Sequence, residues 1–130
     1  MKSLARRSII LAAGMLALLS QFALAGETAW DKAQFDKLMA EGRPVIVDFY
    51  ADWCPTCKSQ KPFVQALAAD PAYKAVTIFV ADYDKEKELK KNLRVSQQST
   101  FVVFKGGKEV GRSTGQTKKD DIAATFAKAL

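Results

Sequence analysis

The chain of 130 residues carries 20 lysines and arginines against 14 acids, contains two cysteines, and has no histidine. With 48% apolar and 26% charged residues it has the balance of one folded domain rather than a disordered tail. Without an imidazole, Ser-His-Asp triads, Cys-His dyads and His-based metal sites are excluded, and two thiolates cannot make a four-cysteine zinc site.

Residues 1–25, MKSLARRSIILAAGMLALLSQFALA, read as an export signal. Lys2, Arg6 and Arg7 form a basic start with no acid, an apolar run spans Ile9 to Leu19, and Ala23-Leu24-Ala25 is the small-x-small pattern of a cleavage site before Gly26. The apolar run falls short of the ~20 residues that span a bilayer, which argues against an uncleaved anchor. Arg6-Arg7 fits a twin-arginine signal poorly. Without this segment 17 cations face 14 acids, so the remaining 105 residues, 26–130, carry a net charge of only +3. The lysines interleave with acids, as in DKEKELKKNLR, which is a solvated face and no nucleic-acid footprint.

The rest of the chain predicts a single domain in which helices and strands alternate. Thr28 to Glu41 has helical spacing through Ala33, Phe35, Leu38 and Met39 and stops at Gly42. Pro44 to Ala51 is the apolar, β-branched run of a central buried strand. A helix follows the WCPTC segment, interrupted by Pro62 and ending before Pro71, and Val76 to Asp82 is a second buried strand. Lys85 to Leu93 reads as a charged helix. Phe101 to Phe104, the Gly106-Gly107 turn and the EVGR segment form a hairpin. Thr117 is the expected N-cap of a last helix, with Asp120 three residues on and Ile122, Phe126 and Leu130 as its apolar stripe. The expected class is α/β, with about four strands in a mixed sheet and helices on both faces.

The chemistry falls where the first long strand meets its helix. Cys54 and Cys57 stand one helical turn apart, close enough to form and reopen a disulfide with little backbone movement. Cys54 lies at the helix N-terminus, where free N–H groups and the dipole favour a thiolate, and Pro55 suits the first helical position. Cys57 should lie deeper. Cys54 is therefore the expected nucleophile and Cys57 the resolving thiol. A purely structural disulfide across so short a loop would stabilise little. Asp48 sits inside Val45-Ile46-Val47-Asp48-Phe49-Tyr50. Burial there should raise its pKa, which fits it to exchange the Cys57 proton; the alternative is a buried Asp of structural use only. Trp53 is a candidate substrate contact, and Lys58 a weak aid to the thiolates.

VDFYADWCPTCK, Pro62 eight residues after Cys54, and FVVFKGGKEVGRSTG together resemble the thioredoxin family. The YADWC segment is also similar to the C-terminal thioredoxin-like domain of the periplasmic electron-transfer protein DsbD. The resemblance implies a thioredoxin fold and a cofactor-free thiol–disulfide oxidoreductase working through its own dithiol, with Cys54, Cys57 and Asp48 in the roles above. It implies a substrate surface of Trp53, Pro55, Thr56, Gln98, Ser99, Thr100 and Gly115. Two positions depart from the family pattern. Ser99 stands where the family places a cis-proline; the Gln98–Ser99 bond is then either cis, at about 2.5–4 kcal/mol, or trans with a rearranged loop. Val80 stands where many relatives place a lysine near the buried Asp. Thr56 cannot stabilise a thiolate by charge, so an intermediate potential and a reducing or isomerising role are expected. A monomer exported to the periplasm, taking electrons from a membrane thiol-transfer protein of the DsbD or CcdA kind, completes the expectation. The competing reading is a carrier module holding a soft metal ion between the two thiolates, with room lent by Ser99.

Overall fold

The computed structural model describes residues 26–130; the expected export signal lies outside them. The elements are β1 (Gly26–Ala29), α1 (Lys32–Ala40), β2 (Val45–Tyr50), α2 (Pro55–Ala69), a 3-10 turn (Pro71–Tyr73), β3 (Thr77–Asp82), α3 (Lys87–Leu93), β4 (Thr100–Lys105), β5 (Lys108–Thr114) and α4 (Lys119–Ala127). They build a five-stranded sheet in the order β1-β3-β2-β4-β5. β1 and β2 run parallel to β3, while β4 is antiparallel to both β2 and β5. This is the thioredoxin fold.

Side-chain alternation along the central strands divides the core. Val45, Val47 and Phe49 of β2 join Phe79, Ala81, Val102 and Phe104 on one face, with Phe35, Leu38 and Met39 of α1 and Leu89 of α3 over them. Ile46 joins Ile78, Phe101 and Val103 on the other face, under Val64 of α2 and Ile122 and Phe126 of α4. The two-residue period puts Asp48 on the Ile46 face, beneath α2. The hairpin turn is Gly106-Gly107, with φ of 62° and 75°, a left-handed pair that glycine adopts without steric cost and that matches strand twist.

Expectations for several elements are corrected. Gly26–Ala29 is a fifth strand, so Thr28 lies in β1 and the first helix begins after Asp31, whose carboxylate accepts from the Gln34 N–H at 3.0 Å. Parallel pairing with Thr77–Val80 holds this strand at the edge of the sheet. The N-cap of α4 is Lys118, with no side-chain cap, and not Thr117. Leu130 is 52% exposed; the stripe of Ile122 and Phe126 continues to Ala129, three residues past Phe126 rather than four. The charged helix also starts two residues later than expected, at Lys87. Pro62, expected to interrupt its helix, does not do so but lies inside a continuous α2.

Candidate active site

The C-terminal end of β2 delivers the chain to Cys54, which is the N-cap of α2 with Pro55 following at the first helical position. Cys54 Sγ accepts the Cys57 N–H at 3.1 Å, taking the role a serine or aspartate oxygen plays at other N-caps. Both cysteines are 1% exposed, and of the two Cys57 has more of the protein packed around it. Electrostatics separates them further. Burial pushes the Cys54 thiol up, but hydrogen bonds from Cys57, from Ser99 and from the backbone N–H groups of Cys57 and Thr56 together hold it below its ordinary value. Burial raises Cys57, and its hydrogen bond with Cys54 raises it further, against weaker opposing contributions from Ser99 and Ala51.

Ser99 closes the site from the opposite side. Its Oγ is 3.1 Å from Cys54 Sγ and 3.2 Å from Cys57 Sγ. Among the described residues every peptide bond is trans, so the loop before β4 has rearranged, with Ser99 at φ 61°. A non-glycine residue in the left-handed region costs about 1–3 kcal/mol and persists only where its surroundings hold it. They do so here. Ser99 N–H donates to Phe49 O at 2.9 Å, and its carbonyl accepts Gly115 N–H at 3.0 Å and Gln60 Nε2 at 3.3 Å.

The other expected site residues take different positions. Asp48, 5% exposed, is pushed up to about 7, chiefly by burial and further by Glu27, against the opposing charge of Lys61. Trp53 is 56% exposed, and its Nε1 donates to Asp84 Oδ2 at 2.7 Å. Pro55 is exposed and Thr56 half-buried beside it, with Gln98 half-buried and Gly115 exposed at the ends of the neighbouring loops. Thr100 is buried and its hydroxyl is engaged by Gln97 O at 2.8 Å and Thr114 Oγ1 at 2.9 Å, so its side chain braces the loop. Lys58 is exposed.

Gln60 was not anticipated. It is 2% exposed on α2, and its Nε2 donates to the carbonyls of Ser99 and, at 2.8 Å, Gln116, joining the two loops beside the thiols. Its helical spacing from Cys57 and Val64 was the available signal: a polar residue on the buried side of α2. Asp84 left no such signal, since it meets Trp53 from 31 residues away.

The Thioredoxin family model matches residues 27–128. The chain belongs to the thioredoxin family. It is 42% identical over 84 residues to a thioredoxin of Chlamydia muridarum, covering 65% of this chain and 80% of that one. With the H-type thioredoxin of Fagopyrum esculentum it shares 32% over 98 residues, 75% of this chain and 81% of the relative. Among solved structures it is similar to Trxlp from Edwardsiella tarda, at 38% identity and a TM-score of 0.75, over 78% of this chain and 98% of that one. Thioredoxins are thiol–disulfide oxidoreductases acting on disulfide substrates through a CxxC pair, here Cys54 and Cys57. They act without a cofactor, and among the described residues no group of three or more Cys, Asp or Glu is placed to hold a metal ion.

Proposed function

We propose that this thioredoxin-family protein is an exported reductant or isomerase of protein disulfides. Cys54 attacks the substrate disulfide, Cys57 resolves the mixed disulfide, and the Asp48 carboxyl takes the Cys57 proton. The observation that carries this reading is Cys54 at the N-cap of α2, its Sγ accepting the Cys57 N–H at 3.1 Å, a placement that holds Cys54 below its ordinary value while Cys57 lies above its own. A lowered thiol is ionised where its partner still holds a proton, which sets the order of attack.

The direction rests on how the Cys54 thiolate is stabilised. Its partners are hydroxyl, thiol and backbone donors, and no cation appears among them. Neutral donors stabilise the reduced form less than a charged one does, which supports an intermediate potential and a reducing or isomerising role. Trp53, Pro55, Thr56, Gln98, Ser99 and Gly115 are the proposed contact surface for an extended substrate. Export rests on the basic start, apolar run and Ala23-Leu24-Ala25 pattern of residues 1–25. An exported reductant draws electrons from across the membrane, so a thiol-transfer membrane protein of the DsbD or CcdA kind is the proposed donor.

Reduction of insulin disulfides with dithiothreitol as electron source tests the reading. The wild type should accelerate precipitation of the insulin B chain, and Cys54→Ser should abolish that acceleration. Equal rates for both proteins would overturn it. A potential of the Cys54–Cys57 pair near the strongly oxidising end, about −120 mV, would overturn the direction. Expression of the full chain in a bacterial host, with mass analysis of the periplasmic product, tests export: a chain beginning at Gly26 supports it, and retention of Met1 in the cytoplasm opposes it.

A further inference from the structure

The Ser99 hydroxyl is within hydrogen-bond reach of both sulfurs, at 3.1 and 3.2 Å. A hydroxyl has one proton to donate and two lone pairs, so it serves as donor to one sulfur at a time. Its backbone is pinned at φ 61° by the Phe49, Gly115 and Gln60 hydrogen bonds, which hold the residue beside both sulfurs while its O–H turns from one to the other. Gln60 is fixed in its own right: Nε2 has two carbonyl partners, while Oε1 is buried with no partner, so reversing the amide would lose both contacts.

We propose that Ser99 is a catalytic residue whose O–H serves the two sulfurs in turn, and that Gln60 is the positioning residue that holds it between them. The inference rests on the order of attack proposed above. In the dithiol state the O–H donates to the Cys54 thiolate. That thiolate attacks one sulfur of a substrate R–S–S–R′: the Cys54–S–S–R bond forms, the substrate S–S bond breaks, and R′S⁻ leaves with the electron pair and takes a proton from solvent. The Cys54 sulfur is now neutral and a poor acceptor. The O–H turns to Cys57 Sγ and stabilises its thiolate as the Cys57 proton passes to Asp48. Cys57 then attacks Cys54 Sγ: the Cys54–Cys57 disulfide forms, the bond between Cys54 Sγ and the substrate sulfur breaks, and RS⁻ departs with its electron pair and is protonated from Asp48 through solvent. The substrate has gained two electrons and two protons, and the protein dithiol has become a disulfide.

The test is the pH dependence of Cys54 alkylation by iodoacetamide, read by peptide mass, in the wild type, Ser99→Ala, Ser99→Gly and Gln60→Met. Glycine adopts φ 61° freely, so Ser99→Gly keeps the test alive if the alanine variant does not fold. Asp48, Lys61, Glu27, Tyr50 and Tyr83 are the same in every variant, so a shift between variants belongs to the hydroxyl or its support. Removing the O–H should raise the midpoint by about one pH unit. Alkylation at the wild-type midpoint then falls about fivefold, with the high-pH plateau unchanged within about twofold. Mixed disulfide on Cys54 should accumulate with substrate in both Ser99 variants, and Gln60→Met should shift the midpoint upward by less. An unmoved or lowered midpoint in both Ser99 variants overturns the role of Ser99, and an unmoved midpoint in Gln60→Met overturns that of Gln60. If wild-type label appears first on Cys57, the order of attack itself has failed, whatever the variants do.

Discussion

Asp48 lies level with Val80 in the parallel pairing of β2 and β3, so its neighbour on the sheet is an apolar side chain. The charges that reach it come from farther away: Glu27 on the edge strand β1 pushes its pKa up, and Lys61 on α2 pulls it down. Burial outweighs both, and the carboxyl titrates at about 7. A carboxyl protonated about half the time near neutrality can both accept and return a proton there, which an ordinary aspartate cannot.

The same displacement governs stability. Asp48 has a folded pKa of about 7 against an ordinary 3.8, so its contribution is fully present below about pH 4 and is lost as pH rises through 7. Such a displacement corresponds to as much as about 4 kcal/mol. Urea unfolding of Asp48→Asn should lack that fall, leaving the variant less sensitive than wild type between pH 4 and 7 and more stable than wild type at pH 8. Parallel stability profiles for the two proteins would refute the assignment.

Val80→Lys should place an ammonium beside the carboxyl, since paired strands lie about 4.8 Å apart. An opposite charge within about 4–6 Å lowers a carboxyl pKa by about 1–3 units. The Asp48 titration, followed by the carboxyl carbon in NMR, should move down by at least about one unit, and resolution by Cys57 should slow at pH 6 as the base weakens. A midpoint still near 7 would mean that the lysine turns away to solvent.

What could be read beforehand follows a physical pattern. β2, β3 and β4 were legible because strands buried on both faces must be apolar throughout. β1 was not: Gly26-Glu27-Thr28-Ala29 has no pattern of its own and is a strand because β3 offers it a ladder. Cys54, Cys57 and Asp48 stood out as reactive or charged types in places where such residues are costly. Ser99 was visible as a departure from a proline position, but its contact with both sulfurs depends on the left-handed turn of a loop. The spacing of Gln60 from Cys57 and Val64 hints at the buried side of α2, but its two carbonyl partners sit on loops that only tertiary packing brings to it. Leu130 misled for the same reason, its helix ending at Ala127 before the spacing could carry it inward.

Trp53 is exposed yet oriented, held by the charge-assisted bond from its Nε1 to Asp84. Asp84→Ala should free the ring and raise KM for insulin reduction by about two- to fivefold with kcat nearly unchanged, because an ordered contact surface then has to be ordered on binding. Asp84→Asn keeps an acceptor and should recover most of the affinity. Steady-state kinetics decide it: a fall in kcat at constant KM would place Asp84 in the chemistry instead.

Phe126 and Leu130 share a helical spacing but not an environment. Phe126 is fully buried and meets Phe101 edge-on at 5.0 Å between ring centres and Tyr73 at 6.5 Å, whereas Leu130 is 52% exposed. Phe126→Ala removes a ring from a packed layer and should cost about 3–5 kcal/mol, a large part of the about 5–15 kcal/mol that holds a domain of this kind together. Leu130→Ala should change stability by no more than about 0.5 kcal/mol. Denaturant midpoints of the two variants give the comparison directly. Similar losses at both positions would restore Leu130 to the stripe, because only a residue packed under α4 has that much contact to lose.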